Sequence, residues 1–136
     1  MGTESKDNLL SSRLNELLIL LMYSNTGTFA SLETTATQRN LALSKLKRGL
    51  NQLCISFVEI NLPTHAEIVR SLLDGSEMRR VDLVNLPDNI IVPGNFEVLR
   101  EELANTGRSQ VFIVSPKEKN RLAEKAPNLW SRVANY

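Results

Sequence analysis

The residues able to do chemistry are few and dispersed along the chain. His65 is the only histidine and Cys54 the only cysteine. His65 follows Thr64 on the first turn of a helical pattern, and nothing in the spacing brings it to Cys54 or to a serine, as a nucleophile–base pair requires. Cys54 cannot close an internal disulfide; beside Ile55 and Phe57 it reads as a small buried hydrophobe. No His or Cys pair has metal-ligand spacing. Glu97, Glu101 and Glu102 share one predicted helix, with Glu97 and Glu101 a turn apart. Such a pair can divide acid and base work, but its ordinary meaning is a solvated helix face.

Phosphate chemistry finds no support either. Neither Gly-x-x-x-x-Gly-Lys-Ser/Thr nor Gly-x-Gly-x-x-Gly occurs. The stretch SLETTATQRN after the first expected strand holds no glycine, so a cradle of backbone amides is not expected there. Thr34, Thr35 and Thr37 can offer hydroxyls to an anion at a helix N-terminus, with N-capping as the plainer use. The sequence implies no cofactor and no catalytic residue.

The basic run Arg39, Lys45, Lys47 and Arg48 has no acid near it between Glu33 and Glu59. LALSKLKRGL fits the recognition helix of a winged helix-turn-helix, which makes nucleic acid an alternative partner. A net charge of +1 and the alternating strands downstream speak against it. A polar outer face on a crossover helix explains the same residues.

These side chains must be positioned by a single domain. A chain of 136 residues with 42% hydrophobic and 23% charged residues can bury a core without metal or disulfides. Leu10, Leu14, Leu17, Leu18 and Leu21 mark an amphipathic helix over 7–23, stopped by Ser24-Asn25-Thr26-Gly27. Strand 28–32, helix 38–53 and strand 55–60 follow. A capping box at Thr64 and Glu67 starts the next helix, and Gly75 ends it. Strand 81–86 closes at Pro87-Asp88-Asn89; Ile90 to Val92 reads as a packed loop or short edge strand. Asn95 caps a helix over 96–104, and Val111 to Val114 form a continuous apolar strand. Ser115, Pro116 and Glu118 open the last helix, which Pro127 ends.

Strands alternating with helices predict an α/β fold: a small three-layer domain over 7–133, with a mostly parallel four-stranded sheet, an extra N-terminal helix and a flexible segment 1–6. Leu17 to Met22 is too short to span a bilayer, no secretory signal precedes it, and Lys6 stands where myristoylation asks for Ser or Thr. The expected location is the cytoplasm, with no membrane partner. A first helix apolar nearly all round needs cover from its own domain or from a partner, so another protein or self-association is expected.

Three features of the C-terminal third carry a resemblance: the Arg100-Glu101-Glu102 helix, the strand Val111 to Val114, and Ala126-Pro127-Asn128-Leu129-Trp130. Together they resemble a segment of large bacterial, especially cyanobacterial, signalling proteins of the STAND/AAA-like ATPase type, which often continue into tetratricopeptide or WD40 repeats. Asn128 replaces the family's Asp, Glu97 replaces an Asn, and no nucleotide motif survives. The resemblance implies a stand-alone α/β domain in a regulatory or adaptor role, without hydrolysis, and marks Arg100, Glu101 and Trp130 as family positions. A degenerate nucleotide-binding protein is the further alternative. Trp130, just after Pro127, is expected to be a packing anchor.

Overall fold

A computed structural model describes residues 2–24, 27–61, 79–86 and 99–136, with residues 2–8, 99 and 100 described by their backbone alone. The chain is α/β. Its elements are helix α1 (Gly2–Tyr23), strand β1 (Phe29–Glu33), helix α2 (Arg39–Gln52), strands β2 (Phe57–Asn61) and β3 (Val81–Asn85), helix α3 (Leu99–Asn105), strand β4 (Ser109–Val114), helices α4 (Pro116–Lys125) and α5 (Pro127–Trp130), and strand β5 (Val133–Asn135). The expected helix over 64–75, the 87–89 turn, the 90–92 segment and the Asn95 cap lie outside the described residues, as do His65 and Glu97.

Among the described residues the sheet has five strands in the order β2-β3-β4-β1-β5, and every pairing is parallel. The expectation of four strands missed β5, in which Val133 pairs with Phe29 and Ala134 with Ala30. Three residues with one buried side chain are too short to show a period. β5 is held instead by β1, and Tyr136 extends the ladder by donating to Ser31 O at 2.9 Å. Helix α1 begins at Gly2, within the segment expected to be flexible.

β4 lies at the centre, with all six residues buried. Its alternation splits the core in two. Val111 and Ile113 join Leu10, Leu14, Leu17 and Leu21 of α1 and Leu43, Leu46 and Leu50 of α2. Phe112 and Val114 join Leu103 of α3, Leu122 of α4, and Leu129 and Trp130 of α5. Successive strand residues face opposite sides, so the two clusters occupy opposite faces of the sheet. Each fully buried leucine is worth about 2 kcal/mol over an exposed one, so the leucine stripe alone fixes α1 against the sheet.

The strand order explains this division. From β1 the chain travels past β4 and β3 to the far edge, and β2, β3 and β4 then return. Crossovers of constant hand must change face when the direction reverses. Hence α2 leaves β1 on one face while α4 leaves β4 on the other. Their starting loops flank the crevice between β1 and β4, the topological switch point at which open α/β sheets hold ligands. No helix among the described residues is long and apolar enough to cross a membrane.

Candidate functional site

The two loops at the switch point are built differently. On the β4 side, Ser115 caps α4 by accepting a bond from Glu118 N at 3.4 Å, and Pro116 occupies the first helical position. On the β1 side, Gln38 stands at the N-cap of α2 in a helical conformation and makes no side-chain cap bond. The loop before it uses its own polar groups. Thr34 N donates to Val114 O at 2.8 Å, Gln38 N donates to Thr35 O at 3.1 Å, and the Thr35 and Thr37 hydroxyls share a bond of 3.1 Å.

Arg39, the first residue of α2, supplies the long-range tie. Its Nε donates to Thr34 Oγ1 at 3.4 Å, and its Nη1 to Asn85 Oδ1 at 3.3 Å and Leu86 O at 2.8 Å. Since β4 lies between β1 and β3, the guanidinium bridges over the carboxyl end of the central strand. Asn85 in turn donates to Asn61 Oδ1 at 3.0 Å, which extends the chain of bonds to β2. From the other side, Arg13 of α1 donates to Glu33 O at 2.9 Å. The oxygens that hold Arg39 are a hydroxyl, an amide and a backbone carbonyl.

This arrangement positions and closes; it has no acid–base pair. Among the described residues no group of three or more His, Cys, Asp or Glu side chains is placed to hold a metal ion. A phosphate chain fits poorly, because the Thr34 and Gln38 amides already have partners within the chain and each loop residue carries a Cβ.

The four basic residues of the α2 run do not act together. Arg39 turns to the end of β3, and Lys47 Nζ reaches Glu59 of β2 at 3.0 Å. Lys45 Nζ donates to Ser11 Oγ of α1 at 3.5 Å, and Arg48 is exposed beside it on the groove between α1 and α2. The helix carrying them is the crossover between β1 and β2, packed on the sheet by Ala42, Leu43, Leu46, Gly49 and Leu50.

Cys54 corrects an expectation. It is exposed, not buried, and has a positive φ of 57°. It stands just past the end of α2, where Cys54 N donates to Asn51 O and Ile55 N to Leu50 O. This is a Schellman ending, which needs a left-handed residue and sends the next apolar one, Ile55, into the core.

Of the positions that carry the resemblance, Glu101 is exposed on α3 and lines a cleft of about 520 Å3 at the amino end of the sheet, together with Arg132, Phe29 and Ala104. Glu102 is also exposed. Trp130 is only 9% exposed, its ring 6.2 Å from that of Phe112 and tilted by 48°. It packs, and exposed Glu101 lines the cleft instead.

One cluster escaped the sequence reading. Asp82 of β3 is fully buried and accepts from Arg79 Nε at 2.6 Å, Arg108 Nε at 3.0 Å and Gln110 Nε2 at 2.8 Å. A lone acid in the apolar run Val81 to Leu86, preceded by two arginines, was the available signal. No known family model matches the chain, and no curated protein matches it.

Proposed function

We propose that the protein is a non-catalytic regulatory or adaptor domain that works in the cytoplasm by binding another protein or a second copy of itself. It is a relative of the α/β domains of STAND/AAA-like signalling ATPases, without their nucleotide chemistry. The two apolar clusters on opposite faces of the parallel sheet support a three-layer plan of this kind. The observation that carries the reading is the closure of the switch point by the chain's own groups: Arg39 bonds Thr34, Asn85 and Leu86 where a ligand would otherwise be held. What remains for function is surface, and α1 keeps apolar side chains there, with Leu9, Ile19 and Tyr23 more than half exposed.

The test has two arms. Mg·ATP and Mg·GTP should leave the melting temperature unchanged, because only a ligand that prefers the folded state stabilises it. In sedimentation and pull-down, the protein should self-associate or retain a defined partner. Stabilisation by either nucleotide would restore the degenerate nucleotide-binding alternative. A strictly monomeric protein that retains nothing would defeat the interaction reading. The DNA-binding alternative is weakened because Arg39 and Lys47 are engaged within the chain.

A further inference from the structure

We infer that the groove between α1 and α2 docks an acidic amphipathic helix of a partner protein. This rests on the interaction reading above and names the surface that serves it. Gly49 lets the two helices lie close along this line: a Cβ there would run into the Leu18 side chain. The space between them is about 260 Å3 and is lined by Ser11, Asn15, Leu18, Lys45, Arg48 and Gln52, among others.

Two features identify the occupant. The first is charge. Lys45 and Arg48 are three apart on α2 and so project to the same side. Among the residues whose side chains are described neither has a carboxylate within ion-pair distance, whereas Lys47, Arg79, Arg108 and Lys119 all do. The second is the apolar surface further along the groove. One turn beyond Leu18 and Gly49 stand Met22 and Leu53, each 39% exposed. Leu53, the C-cap of α2, follows Arg48 by five positions, about 7.5 Å at 1.5 Å per residue. The surface is thus a cation pair next to an apolar pair. Its complement is a helix with carboxylates one turn apart and a large apolar side chain one to two turns further on. A nucleic acid would meet only two cations and then an apolar end, too little for a phosphate track.

The probe is a labelled synthetic helix with that pattern of Glu and Leu, run beside a twin with Lys in place of Glu and beside duplex DNA. The Glu helix should bind saturably, weaken as salt rises, and shift the amide resonances of Ser11, Asn15 and Gln52. The K45E/R48E variant should bind it about tenfold more weakly and prefer the Lys twin. Arg48 is exposed and Lys45 half-buried, and the amide shifts on the unaltered protein give the same answer without a variant. Absence of saturable binding at low salt, shifts confined to another surface, or tighter binding of duplex DNA would each overturn the assignment. If K45E/R48E keeps the association seen with the unaltered protein, the groove assignment alone falls. If the unaltered protein associates with nothing, the broader reading falls with it.

Discussion

At the amino end of the sheet a carboxylate is ringed by donors, two of them cations; at the carboxyl end a cation is ringed by neutral oxygens. Asp82 is fully buried among Arg79, Arg108 and Gln110. Arg39 is half-buried between Thr34, Asn85 and Leu86. In the first case, removing the central charge leaves guanidinium groups in a dry site without the anion they face. In the second, water can replace most of what is lost. The tightly specified end of the sheet is therefore the one remote from the switch point, and the end where α/β folds hold ligands is closed by a weaker device.

The largest effect should come from breaking the amino end. Asp82→Asn keeps the shape and removes the charge, and should cost about 3–5 kcal/mol, the range for a buried pair stripped of one partner. Urea denaturation measures it. A loss below about 1 kcal/mol, the value of a surface pair, would erase the contrast between the two ends.

At the carboxyl end, Arg39→Ala should cost less, about 1.5 kcal/mol, because charge-assisted bonds at a half-exposed site lose little more than the low end of their range. Amide exchange at Thr34 and Gln38, the hydrogen-bonded amides of this loop, should quicken, since the guanidinium is what ties the loop to β3. Arg39→Lys keeps the charge but loses the planar fork, so it should recover only part of the protection. If the loop is as protected in Arg39→Ala as before, the closure of the switch point is not the work of this side chain.

The next step down compares the two loops at the switch point. Ser115→Ala should cost about 1 kcal/mol, the usual value of an N-cap, by exposing Glu118 N at the start of α4. Gln38→Ala should cost almost nothing, because Gln38 makes no cap bond on α2. Denaturation midpoints of the pair would show whether one loop is held locally and the other from a distance.

That same distinction governs how much of the molecule the sequence discloses. Ser115, Pro116 and Glu118 lie within four positions of one another, and the cap they form was legible. The apolar run of β4 and the leucine stripe of α1 were legible for the same reason, since each is a local period. Arg39 reaches Leu86 across 47 positions, and Asp82 reaches Gln110 across 28, so neither tie has a local signature. β5 exists only because β1 offers it an edge. The basic run is a related case: its residues are neighbours in sequence, but Arg39, Lys47 and Arg48 face three different surroundings.

Cys54 shows that a local reading also fails when it weighs the wrong local term. Apolar neighbours suggested burial, whereas the backbone at the end of α2 demands a left-handed residue whatever its side chain. The left-handed conformation costs a residue with a Cβ about 1–2 kcal/mol, and glycine avoids that while losing roughly 0.5–1 kcal/mol more entropy on folding. Cys54→Gly should therefore stabilise the protein by about 0.5 kcal/mol, a small change and the only gain among these substitutions. The thiol of the unaltered protein should also react with a disulfide reagent without prior unfolding, because it is exposed. A destabilised Cys54→Gly protein, or a thiol that reacts only on denaturation, would mean that α2 ends by burying Cys54 and that its finish, like its start at Arg39, depends on contacts distant in sequence.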